Sequence, residues 1–254
     1  MNKKVLSLDI TCLPYIQFVN KLRDLALLKQ SAYVCVANVH MTIEAHNQPS
    51  FAAIVNGADA VTPDGMPLVA ALKLLYGITQ ERVTGMDLLP DLLKVAEREK
   101  LTVFFYGGTE SMLQNTNSHL AAHYPGIAKK HFYSPPFRKL SSIEEVNDVD
   151  QINSTGANIV FVALGCPKQE KWMASMKGRI NACMIGIGGA LPVMIGMQKR
   201  APLWMQKSGL EWLYRLIQEP GRLFKRYAVT NTKFSWLLLE ALFKQGFCSR
   251  PGTN

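Results

Sequence analysis

The sequence predicts an α/β fold: a parallel sheet layered between helices on both faces, plus a helical, basic appendage at the C-terminal end. Three observations predict it. Short β-rich runs alternate with stretches of helical periodicity up to about residue 198, and two of those runs are apolar nearly throughout. Beyond residue 198 no convincing strand follows, and Trp, Tyr and Phe interleave with Lys and Arg. Strands alternating with helices pair in parallel through crossovers, and an apolar run without alternation suits a central strand covered on both faces.

Strands are expected at 5–10 (VLSLDI), 32–39 (AYVCVANV), 59–62 (DAVT), 102–107 (TVFFYG), 158–165 (NIVFVALG) and 182–189 (ACMIGIGG), with a less β-rich run at 130–134 (KHFYS). Helices are expected near 15–28, 50–56, 66–76, 86–99, 110–123, 143–155 and 168–178; Leu88, Leu89, Leu92, Leu93 and Ala96, for instance, recur at helical spacing. SPPFRKLSS (134–142) reads as a loop. In the tail, helices are expected near 208–218, 221–229 and 232–245, with Pro220 separating the first from the second. The organisation expected is therefore a Rossmann-like domain over 1–198 and a helical appendage over 199–254.

A chain of 254 residues that is 48% apolar can bury a sizeable core, which excludes global disorder. No apolar run reaches the ~18 residues of a spanning helix. The basic start at Met1-Asn2-Lys3-Lys4 is followed by a run too short for an export signal, and Asp9 interrupts it. The five cysteines, Cys12, Cys35, Cys166, Cys183 and Cys248, are unpatterned and form no CxxC, which fits reduced thiols in the cytoplasm and mostly apolar filler. The net charge of +9 is unevenly placed: ten Lys and Arg face three Glu from Lys199 onward, against 18 basic and 16 acidic residues before it. Such a block suits an anionic partner: nucleic acid, phosphates or an acidic membrane.

In open α/β sheets ligands sit at the carboxyl ends of the strands. Polar and glycine residues follow five of the predicted strands: Asn38 and His40; Thr62-Pro63-Asp64-Gly65; Gly107-Gly108-Thr109; Gly165-Cys166-Pro167-Lys168-Gln169-Glu170; Gly188-Gly189-Ala190. Glycines there let backbone N–H groups approach a phosphate, although each pair alone also reads as an ordinary turn. Asp64 reads either as a helix N-cap or as a general base for an attacking hydroxyl. Arg82 could hold a phosphate or pair with an acid, and Gln169 could bond a sugar or a base. Glu170 and Lys171 are expected to face solvent, as is the DxD-like Asp148-Val149-Asp150. His119 and His123 are spaced i,i+4 but lack the Glu of a zinc motif.

TPDG at 62–65, Arg82-Val-Thr-Gly, GCPKQE at 165–170 and KRAPLWMQKSGLEWLYRLIQEPGRLFKRY at 199–227 resemble the WecG/TagA/CpsF glycosyltransferase family over about residues 5–245. The resemblance implies an inverting, metal-independent, cofactor-free hexosyltransferase with no metal ligands. The donor would be a UDP-sugar carrying ManNAc, ManNAcA, glucose or a related sugar. The acceptor would be an undecaprenyl-diphosphate-linked saccharide in cell-surface polysaccharide synthesis. It implies Asp64 as catalytic base, Asn38 lining the cleft, and Arg82 and Gln169 in substrate binding; Gly108 and Gly189 join the candidate binding residues as strand-end glycines whose backbone can approach a phosphate. In the tail it implies Arg215 and Arg222 reaching the diphosphate, with a third basic position at Lys225 or Arg226. Val36 stands where the family often has Thr, and Leu191-Pro192 where many members have Phe-Asp, so the donor sugar stays open.

The tail's composition agrees: basic side chains favour an anionic leaflet, and WLLLEALF (236–243) is long enough to lie in the interface but too short to cross. The expectation is a cytoplasmic protein, peripheral on the inner face of the membrane, with no nucleic-acid partner; a homo-oligomer contact is the other use of the same apolar surface. Rival readings are a basic nucleic-acid-binding module, an NAD-binding oxidoreductase, which lacks GxGxxG after the first strand, and a non-catalytic membrane scaffold.

Overall fold

The computed structural model describes residues 1–138 and 140–248, the side chains of residues 222 and 246–248 excepted. Its centre is a parallel six-stranded sheet of order β4-β3-β8-β7-β5-β6, built from β3 (Ala32–Ala37), β4 (Ala60–Pro63), β5 (Val103–Gly107), β6 (Lys130–Tyr133), β7 (Ile159–Ala163) and β8 (Cys183–Gly186). Central β7 and β8 are almost wholly buried, as their unbroken apolar sequence requires.

Alternate residues of each strand feed two cores. Tyr33, Cys35, Phe104, Tyr106, Val160 and Met184 point to one face. That face is covered by α2 (Val39–Asn47), α3 (Pro49–Asn56), α4 (Met66–Tyr76), α7 (Ser142–Ser154) and α8 (Lys168–Met176). Val34, Val36, Val103, Phe105, Phe161 and Ile185 point to the other face, under α1 (Tyr15–Leu27), α5 (Gly85–Arg98), α6 (Glu110–His123) and α9 (Ala190–Met194).

Three elements differ from the sequence reading. The single strand expected at 5–10 is instead an antiparallel hairpin of β1 (Asn2–Val5) and β2 (Leu8–Thr11), outside the main sheet. Its turn places Leu6 at φ 56, a conformation that leucine does not advertise. Helix α2 begins where the strand was extended to residue 39; the Asn38 side chain caps it by accepting from the Met41 N–H at 3.1 Å. The two helices expected after Pro220 are one, α12 (Pro220–Cys248).

Two burial expectations are corrected. Asp148 is 2% exposed, because its carboxylate accepts from the buried Tyr106 hydroxyl on the sheet face that α7 covers, whereas Asp150 is exposed; the two do not share a surface. Glu170 is 0% exposed, because α8 turns it inward beside Gln169, whereas Lys171 is exposed as expected.

After β8 the chain forms α9, α10 (Leu203–Lys207), α11 (Glu211–Gln218) and α12. Helix α12 packs on α2 and α4, burying Leu223 and Phe234 and donating from Gln245 Nε2 to the Leu75 carbonyl at 2.8 Å. No helix among the described residues is long and apolar enough to cross a membrane.

Candidate active site

A cavity of about 630 Å³ opens at the carboxyl ends of β3, β4 and β8 and is walled on its outer side by α11 and α12. Its position follows from the strand order. The chain leaves β3 for β4 on one side and returns through β8 on the other, so the loops diverge and leave a crevice.

Asp64 lines this cavity directly after β4. Its N–H donates to the Ala37 carbonyl at 2.7 Å, extending the β3 pairing by one residue and fixing the side chain at the rim. Gly65 follows with φ 105, a left-handed turn that turns the chain sharply into α4. The Asp64 side chain does not cap that helix, whose N-cap is Gly65. Burial pushes the Asp64 carboxyl up from its ordinary 3.8 to about 6; the Thr84 hydroxyl and the Arg82 guanidinium oppose the rise, and Glu211 adds to it. A carboxyl tuned in this way is ionised at neutral pH yet basic enough to take a proton.

The segment before α5 runs beside β4, held by Val83 N–H to the Pro63 carbonyl at 3.0 Å and Thr62 Oγ1 to the Val83 carbonyl at 3.1 Å. This brings Arg82 and Thr84 to the cavity. Arg82 is already engaged: Nη1 lies 2.6 Å from Glu211 Oε2, and Nη2 lies 3.9 Å from Asp87. Its carboxylate partner Glu211 comes from α11, a pairing the sequence reading did not anticipate.

Gln169, on the first turn of α8, lines the opposite wall. Its amide is fixed at both ends: Oε1 accepts from the Gly165 N–H at 3.2 Å, and Nε2 donates to Glu170 Oε1 at 2.8 Å. Burial raises the Glu170 carboxyl above its ordinary value, and the Gln169 bond opposes that. Gly189 is overlaid by the appendage: a Cβ there would lie 2.8 Å from Arg215 Nη2. Arg215 and Arg226 both line the cavity, and neither is within ion-pair distance of a carboxylate among the described residues. His40, on the first turn of α2, has a pKa lowered by burial and by the Arg226 charge, against the opposing pull of Glu44, so it is neutral at pH 7.

The structure thus gathers Asn38, Asp64, Arg82, Gln169, Gly189, Arg215 and Arg226 around one space. Gly108 is not among the lining residues: it follows β5, beyond β7 in the strand order, where its carbonyl accepts from Ser134 Oγ at 2.6 Å. Arg222 belongs to α12, but its side chain is outside the described residues. Sequence reasoning missed Thr84, Glu211, Trp212 and Tyr227 in the lining. Glu211 had a usable signal, since it stands four residues before Arg215 and shares its helical face. His119 and His123 stack on each other with centroids 4.2 Å apart, and the described residues hold no group of three or more His, Cys, Asp or Glu placed to bind a metal.

The model of the glycosyl transferase WecG/TagA/CpsF family matches residues 3–247. The chain belongs to that family. Among its relatives is an N-acetylglucosaminyldiphosphoundecaprenol N-acetyl-beta-D-mannosaminyltransferase of Bacillus spizizenii, 32% identical over 87% of this chain and 84% of that one. A Bacillus subtilis protein of the same name is 30% identical over 88% and 85%, and a Staphylococcus aureus one 28% identical over 75% and 74%. The family makes the chain a glycosyltransferase, in agreement with the resemblance carried by TPDG, GCPKQE and the basic tail.

Proposed function

We propose that the chain moves a sugar from a UDP-sugar, with inversion at the anomeric carbon, onto an undecaprenyl-diphosphate-linked saccharide. The observation that carries this reading is the juxtaposition of Asp64 with Arg215 and Arg226 around one cavity. In the reaction the acceptor hydroxyl oxygen bonds to the anomeric carbon while the bond from that carbon to the diphosphate oxygen breaks. The Asp64 carboxylate takes the hydroxyl proton, and UDP leaves with the electron pair. Arg215 and Arg226 neutralise the charge that grows on the diphosphate, a task for which guanidinium groups suit phosphate oxygens and which calls for no metal ion. Arg222 joins them on its place in the sequence. The backbone at Gly188-Gly189 approaches the phosphates, while Gln169 and Asn38 orient the sugar rings.

The names of the relatives support N-acetylmannosamine as the transferred sugar and a GlcNAc-diphosphoundecaprenol as the acceptor. Such an acceptor stays in the bilayer, so the enzyme works on the inner membrane face as a peripheral protein. The segment from residue 199 is the docking appendage to the catalytic domain of 1–198. Its exposed Trp204, Ile217, Phe224, Trp236 and Phe243 support this role, because they can enter the interface while neighbouring Lys and Arg meet anionic headgroups. The experiment is to screen UDP-sugars for UDP release in the presence of a GlcNAc-diphospholipid. Release with UDP-ManNAc well above UDP-GlcNAc and UDP-glucose is expected; release with none of the UDP-sugars would refute the reading.

A further inference from the structure

Helix α11 carries Arg215 to the cavity, yet none of its residues is fully buried. Its apolar side chains are only partly covered, with Trp212 meeting the Tyr227 ring edge-on, so polar contacts contribute to seating this short helix. The strongest is the ion pair of Arg82 Nη1 with Glu211 Oε2 at 2.6 Å, whose side chains are only 15% and 13% exposed. Glu211 Oε1 is buried without a hydrogen-bond partner, so Arg82 is what holds this carboxylate in place. Asp64 lies close enough to sense both charges, the Arg82 cation opposing the repulsion that the Glu211 carboxylate exerts on it. Glu211 and Arg215 are one helical turn apart on one face, so whatever fixes the first also aims the second.

We propose that Arg82 and Glu211 form a latch that seats α11 over the cavity and so positions Arg215 against Gly189. Both are positioning residues, and the guanidinium of Arg82 acts through the appendage instead of serving first as a phosphate ligand. The functional consequence rests on the glycosyl-transfer reading above; the mechanical part does not.

The test compares the full-length chain with Arg82→Gln, Glu211→Gln and the double variant. Trypsin reads the latch without substrate, by cleavage between Lys199 and Lys207; faster cleavage than in the parent is expected for all three. In the UDP-release assay each single change should lower kcat by on the order of 10- to 100-fold, with a smaller effect on donor KM. The double variant should be no worse than the worse single one, because both remove the same contact. Parent-like cleavage in Glu211→Gln, or losses in kcat that multiply in the double variant, would overturn the latch. Should Arg82→Gln melt below the assay temperature, Glu211→Gln, altered only on the appendage, decides alone. If the parent releases no UDP, the transfer reading fails while the cleavage result still judges the latch.

Discussion

Asp64 carries the chemistry proposed for this chain, and its ionisation follows from where β4 leaves it. Burial raises its carboxyl to about 6, so kcat/KM should fall roughly tenfold per pH unit below that value, read in a pH series of UDP release. The folded protein holds this proton more tightly than the unfolded chain does. The group therefore favours folding below about pH 3.8 and loses that contribution as pH rises through about 6. At pH 7 the ionised side chain is a net cost, and Asp64→Asn should raise Tm by a few degrees in thermal melting, a common trade of stability for activity. The place of Asp64 at the cavity was legible because it follows a strand at its carboxyl end, where ligands sit, whereas the choice between helix cap and free carboxylate needed the structure, in which Gly65 takes the N-cap. Glu170 and Asp148 were not legible, because their burial depends on turning toward the sheet, and for Asp148 on Tyr106, which is distant in sequence.

Among the elements, helices α4 and α6 and the core strands were readable from periodicity and strand composition alone, since their apolar faces meet one sheet. The hairpin was not, because its Leu6 turn lacks glycine and asparagine, and α2 was hidden by the apolar run that enters it. The α9 turn brings a constraint that sequence could only hint at: the space a Cβ would occupy at Gly189 is already taken by Arg215. Gly189→Ala should displace that guanidinium and lower kcat by about tenfold or more, measured as UDP release at saturating donor. The exposed face of α12 makes a separate prediction. Replacing Phe224 and Trp236 together by Ser should weaken co-sedimentation with anionic vesicles while leaving Tm within a few degrees, because both side chains are more than half exposed.

For the whole molecule, the strand order decides which loops cooperate. β3, β4 and β8 lie together and supply most of the cavity's inner wall, whereas β5 stands apart and takes Gly108 with it. Sequence alone shows glycines after several strands but does not rank those strands by position in the sheet. The basic tail was legible as a unit from its charge and aromatic content, and its reach to the cavity through the family resemblance; the packing of α12 on α2 that makes it a wall joins segments too distant in sequence to be read from it. In the proposed transfer Asp64 at the sheet's edge works with Arg215 on α11 and Arg226 on α12, and the most direct test compares the parent chain with Asp64→Asn. UDP release with a lipid-diphosphate acceptor should fall by about 10²- to 10⁴-fold, while donor affinity measured by calorimetry stays nearly unchanged. A variant that turns over at the parent's rate would contradict the assignment of Asp64 as the base.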